Sequence, residues 1–187
     1  MNKRVIEIHE INQDIIKKIV KLDLKNCILT FDDGLQSQWE FIDDLIALDV
    51  PKIFFISTNI VCKNVDNQSR EYVHCADAHK KAFMGNKENY MTWSQIKTIS
   101  KLPNCYIGGH SHNHRAYSVS PLKDLYKNLI EDTKLMLEEF NKKHLKIKSF
   151  CFPYNESYDD LYKIILAKEG IDDFYGRERI KIEEVNA

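Results

Sequence analysis

Two apolar runs of strand length each end in a cluster of metal-ligating side chains, and no other feature constrains the chain as tightly. Cys27-Ile28-Leu29 leads into Thr30-Phe31-Asp32-Asp33-Gly34, and Tyr106-Ile107 leads into Gly109-His110-Ser111-His112-Asn113-His114. A short apolar run bounded by a turn residue reads as a buried strand. Each cluster alone has an ordinary explanation. Adjacent aspartates before a glycine cap helices and turn chains, and His-rich stretches are often solvated loops. Together, at two strand ends, they point to one metal site on one face of a parallel sheet.

The rest of the chain repeats the strand–helix alternation. Ile11, Ile15, Ile16, Ile19 and Val20 recur at helical spacing and predict a helix over 11–21. Strands are expected over 26–31, 52–57, 105–109, 147–152 and 180–185, and helices over 38–48, 93–101, 121–145 and 159–169. Thr92 with Gln95 makes a capping box, Pro121 after Ser120 marks N1 after an N-cap, and Gly170 closes the last helix. Alternating strands and helices imply parallel strands with right-handed crossovers. Chemistry in such folds collects at the carboxyl ends of the strands, where Asp32-Asp33, His110–His114 and Pro153-Tyr154 all fall. A full (β/α)₈ barrel typically takes ~250 residues. The 187 residues here fit a single domain over 1–187 with an abbreviated or distorted (β/α) barrel of parallel strands.

Composition excludes several classes. A net charge of −1 without a basic stripe gives no case for a nucleic-acid partner. No apolar stretch reaches the ~18 residues of a membrane span. Glu7, His9 and Glu10 interrupt the apolar core that a secretory signal needs. Cys27, Cys62, Cys75, Cys105 and Cys151 form no C-x-x-C pair, and an odd number with three in apolar strand candidates reads as reduced thiols in a cytoplasm.

Two histidines and a carboxylate make a facial ligand set with room for water and substrate, suited to zinc and metals like it. A second carboxylate beside them is placed to take a proton from that water. With these motifs the sequence resembles the polysaccharide deacetylases of carbohydrate esterase family 4, the nodulation-factor deacetylase homology domain. Thr30–Gly34 matches that family's T-F-D-D-G motif, and His110–His114 its H-[ST]-x-x-H motif. Met91-Thr92-Trp93-Ser94-Gln95-Ile96 resembles the segment opening the preceding helix. Phe150-Cys151-Phe152-Pro153-Tyr154-Asn155 resembles the third motif, usually R-x-P-Y-G. The resemblance implies Asp33, His110 and His114 as ligands of one divalent ion, zinc foremost, and Asp32 as the general base. It implies an oxyanion contact from the Tyr154 N–H. The reaction implied is hydrolysis of an N-acyl amide, most often N-acetyl, on a sugar. A deformylase or amidase on another small amide, and a sugar-binding protein that has lost turnover, are the alternatives. A cytoplasmic enzyme would act on a nucleotide-linked or lipid-linked sugar precursor.

The chain departs from the family in two places. Cys151 and Asn155 stand where the third motif usually has Arg, which orients the base, and Gly. The final Leu-x-His motif, source of the general acid, has no visible match. Residues 58–90 form a polar connection longer than α/β loops usually are, and it should overhang the catalytic face. Within it, His79 is the expected proton donor, because Ala76-Asp77-Ala78-His79 can start a helical turn. Its bland alternative is a solvated loop histidine. His112 should turn away from the ligands, and a separate metal site at His74, Cys75 and His79 is not expected. Arg177 and Arg179 either bind an anionic substrate group or pair with Glu178 and Glu183.

Overall fold

A computed structural model describes residues 3–116, 121–155 and 159–185. In chain order the elements are β1 (Arg4–Ile8), α1 (Gln13–Lys21), β2 (Cys27–Phe31), α2 (Gln36–Glu40), α3 (Ile42–Ile46), β3 (Lys52–Ile56), α4 (Cys75–Phe83), α5 (Trp93–Ile99), β4 (Cys105–Gly109), α6 (Leu122–Lys142), β5 (Ser149–Cys151), α7 (Asp159–Lys168), β6 (Asp173–Tyr175) and β7 (Ile180–Lys181). One sheet holds all seven strands in the order β6-β5-β4-β3-β2-β1-β7. Every pairing is parallel. This is the strand order of a (β/α) barrel opened between β6 and β7: a curled half-barrel, as the length of the chain implies.

Continuous burial explains the apolar strands. All five residues of β2 and of β3 are buried. Phe31 and Phe54 stack across the two with ring centroids 4.7 Å apart. Burying one such side chain is worth ~1.5–3 kcal/mol. Lys52 at the start of β3 keeps its charge in the interior by donating to the Leu48 and Val50 carbonyls, each at 2.7 Å. Asn12 caps α1 by accepting the Asp14 and Ile15 N–H groups, and Ile16 and Ile19 face the core. The capping box of Thr92 and Gln95 starts α5 as expected.

Several boundaries differ from the sequence reading. The helix expected over 38–48 breaks at Phe41, whose ψ of 20° leaves the helical range, giving α2 and α3. Pro121 is itself the N-cap of α6, with ψ 137°; Ser120 lies outside the described residues. The strand expected over 180–185 pairs only at Ile180–Lys181 and continues as a 3₁₀ turn. β1 and β6 were not anticipated, and the helical turn expected at Ala76-Asp77-Ala78-His79 is part of the longer helix α4. In β1 the charged Glu7 breaks the apolar pattern, yet it is buried, because a cation from elsewhere in the chain meets it.

Candidate metal centre

β1 and β2 end level, with Ile8 opposite Phe31 and the Asp32 N–H donating to the Ile8 carbonyl at 2.9 Å. Asp33 (φ 72°) and Gly34 (φ 76°) then turn through left-handed backbone. Asp tolerates that region better than most side chains, and the turn brings Asp32 and Asp33 to one cavity. At the end of β4 the pair Gly108-Gly109 is a packing requirement. A Cβ at Gly108 would sit 2.5 Å from the Phe55 ring, and one at Gly109 would sit 2.7 Å from Met136 Sδ.

The loop that follows is strained, with Ser111 at φ 65° and His114 at φ 49°. Such residues cost of order 1–3 kcal/mol each and persist only where neighbours hold them. Asp132 on α6 accepts the backbone N–H groups of His112 at 2.7 Å and Asn113 at 2.9 Å. Ser111 Oγ accepts the His114 N–H at 2.9 Å, and Ser57 Oγ donates to the His110 carbonyl at 2.7 Å. So braced, His110 and His114 face Asp33. His110 Nε2 lies 3.3 Å and His114 Nε2 3.0 Å from Asp33 Oδ1.

The chemistry of these atoms fits a bound cation. His110 Nδ1 lies 2.8 Å from the Cys151 carbonyl, which only accepts, so Nδ1 carries the proton and Nε2 presents its lone pair to the site. Asp33 Oδ1 and His114 Nδ1 are buried without a hydrogen bond among the described residues. A buried carboxylate oxygen left without a hydrogen bond between two imidazole nitrogens is what a divalent metal satisfies. Burial pushes the Asp33 carboxyl up, but His114, His110 and His79 pull harder and hold it well below the usual range. Burial lowers the pKa of His114 against the pull of Asp33 and favours the neutral imidazole a ligand needs. At His110 burial also opposes the charge, but Asp33 and Asp32 outweigh it.

Asp32 is held from the other side. Arg179 Nη1 and Nη2 donate to its two oxygens, each at 2.7 Å, and the same guanidinium lies 3.2 Å from Glu7. Burial raises the Asp32 pKa, yet Arg179 and then His110 reverse the sign and leave it at about 2. Arg179 binds the two buried carboxylates in place of the expected pairing with Glu178 or Glu183, and Glu178 accepts the Gly176 N–H. The Cys151 thiol, at the place where the family has Arg, does sit against Asp32 Oδ2, at 3.6 Å. The guanidinium therefore arrives from the segment just before β7.

Other expected residues fall as follows. Tyr154 occupies left-handed backbone (φ 59°) with its ring 4.8 Å from that of His114. His112 turns away, its Nδ1 sharing a hydrogen bond with Thr58 Oγ1 at 2.8 Å. His74 pairs with Glu10. His79 does enter the site, its Nε2 3.0 Å from Asp33 Oδ2, and so does the Cys75 thiol, 3.0 Å from the same oxygen. His9 was not anticipated. It follows β1, lies 3.9 Å from Asp32 Oδ2 and keeps 35% of its side chain exposed. Its signal was available, since it ends an apolar run as Asp32 and His110 do. His9, Cys75, His79 and Tyr154 line a cavity of about 690 Å³ together with Phe83, Phe152 and Lys181, a size suited to a small-molecule substrate.

The polysaccharide deacetylase family profile matches residues 19–172, and the chain belongs to that family. It is thus a carbohydrate deacetylase, a hydrolase, by family. Among solved structures, IcaB from Ammonifex degensii superposes with a TM-score of 0.69 at 17% identity, covering 98% of this chain and 86% of that one. A de-N-acetylase from Aggregatibacter actinomycetemcomitans gives 0.62 at 15% identity, covering 96% and 77%. At such identities these likenesses establish the shared fold. No curated protein matches the sequence significantly.

Proposed function

We propose that the chain removes an N-acyl group, N-acetyl foremost, from a sugar or sugar precursor with the help of one divalent metal, zinc foremost. The observation that carries this reading is the approach of His110 and His114 to the Asp33 carboxylate, with a second carboxylate, Asp32, clamped beside them. Asp33, His110 and His114 would hold the ion. Such an ion polarises an acyl carbonyl and acidifies water. Asp32, ionised at any pH well above 2, takes the proton of the attacking water. Arg179 fixes the direction of its oxygens. The Tyr154 N–H, on the turn beside His114, would steady the oxyanion.

The leaving amine needs a proton. His79 is the residue expected to supply it, but its ring nitrogens are fully buried against the Asp33 carboxylate. His9 faces the cavity, remains partly exposed and has Glu7 3.8 Å from Nδ1. Our reading therefore gives the donor role to His9 and a different role to His79. The five free thiols support a reducing compartment, and hence a nucleotide-linked or lipid-linked precursor as substrate. Among the described residues no helix is long and apolar enough to cross a membrane. The test is release of acetate and of formate from a panel of nucleotide-linked N-acyl sugars with zinc or cobalt added. Acetate release from at least one sugar is expected. Metal binding without turnover of any would overturn the reading.

A further inference from the structure

We propose that α4 completes the metal centre with a fourth protein ligand, His79 Nε2. The inference rests on the reading of Asp33, His110 and His114 as metal ligands and extends it to a residue outside the family's motifs.

Three observations carry it. First, the ligand-type atoms of Asp33, His79 and His114 lie within 4.8 Å of one another and all three residues are buried. Bonds of ~2.0–2.1 Å to a shared zinc place neighbouring ligand atoms roughly 3.3 Å apart. His79 Nε2 stands 3.0 Å from Asp33 Oδ2, as His114 Nε2 stands 3.0 Å from Oδ1. Second, neither ring nitrogen of His79 has a hydrogen bond among the described residues, although both are buried. A neutral imidazole in that state leaves a lone pair and an N–H unsatisfied, which is unfavourable in a buried site; a shared cation satisfies the lone pair. Third, the ring is mounted rigidly. It stacks on His114 at 4.2 Å between centroids and is flanked by Phe83 and Tyr90.

The helix beneath is anchored too. Ala78 and Ala82 pack with Leu35, Ile60 and Tyr90 in a small core of their own. The N-terminus of α4 is tied down by Glu10, which accepts the Cys75 N–H at 3.3 Å and pairs with His74. A proton donor must exchange its proton with solvent in every turnover, and these buried nitrogens are poorly placed for that. A ligand has no such need. Cys75, one turn earlier on the same face, donates its thiol hydrogen to Asp33 Oδ2 and steadies the ligand carboxylate.

Equilibrium metal binding, measured by chelator competition, and the visible spectrum of the Co²⁺-loaded protein test the assignment without any turnover. The panel is the unmodified chain, Asp33→Asn, His79→Ala, His79→Cys and Cys75→Ala. Loss of His79 is expected to weaken metal binding by about tenfold or more and to lower the intensity of the Co²⁺ ligand-field bands as water replaces a protein ligand. His79→Cys should bring a new sulfur-to-cobalt charge-transfer band, which a thiol outside the coordination sphere cannot produce. That signature also reports on the site if His79→Ala folds poorly. Unchanged affinity and spectrum in His79→Ala overturn the proposal. So does a charge-transfer band in the unmodified chain that Cys75→Ala abolishes while His79→Ala leaves it intact, because the thiol then holds the position. If the unmodified chain binds no metal at all, the three-ligand reading beneath the proposal fails, and that result is distinct from both.

Discussion

Arg179 grips both oxygens of Asp32 at 2.7 Å across 147 residues of chain. The pair explains how a site can keep its base oriented when the usual position for an arginine holds Cys151. Burial alone would raise the pKa of Asp32. The guanidinium outweighs burial and carries the carboxyl from 3.8 to about 2. The folded chain thus binds fewer protons than the unfolded chain between those values. Stability from the pair is complete above about pH 4 and is lost as the pH falls through about 2, an effect on the order of 2 kcal/mol.

Arg179→Lys keeps a charge but loses the two-pronged grip. We expect kcat to fall and the acid limb of the pH–rate profile to move upward, with metal content unchanged. The acid unfolding midpoint should rise as well. A variant with both limbs in place and full kcat would separate Arg179 from the base.

The two aspartates should divide cleanly. Asp32→Asn removes a base and leaves the ligands, so turnover should be lost while about one equivalent of metal stays bound. Asp33→Asn should weaken metal binding itself. Metal analysis after dialysis distinguishes the two, and exchanged phenotypes would reverse the assigned roles.

Gly108 tests the packing that aims His110. An added Cβ meets the buried Phe55 ring at 2.5 Å. Gly108→Ala should cost about 1–3 kcal/mol through overpacking, a fall of a few to about ten degrees in Tm for a chain of this size. Because β4 carries His110 at its end, metal affinity should fall with it. Thermal melts with and without metal check both effects.

Strand identity and the ends of β2 and β4 were legible because local signals agree there: apolar runs, then turn residues, then ligands. Arg179 and the true place of His79 were not, each for a physical reason. Arg179 reaches Asp32 only because β7 pairs with β1, a contact between the two ends of the described chain that no local pattern encodes. Glu7 looked like a polar break in an apolar run, and its burial makes sense only with Arg179 beside it. The helix around His79 is short and has modest amphipathic character. It is held by its own small core with Leu35, Ile60 and Tyr90, residues scattered through the sequence.

His9 carries the last prediction. It sits at the end of β1, level with Asp32, partly open to the cavity. If it protonates the leaving amine, its loss matters in proportion to how badly the leaving group needs a proton. His9→Ala should reduce turnover of an N-acetyl sugar by roughly 10²–10⁴, with metal affinity and Tm unchanged. On an activated aryl acetate, whose phenolate leaves unaided, the same variant should retain most of its activity. An equal loss on amide and aryl ester would mean that His9 serves binding or structure rather than proton donation.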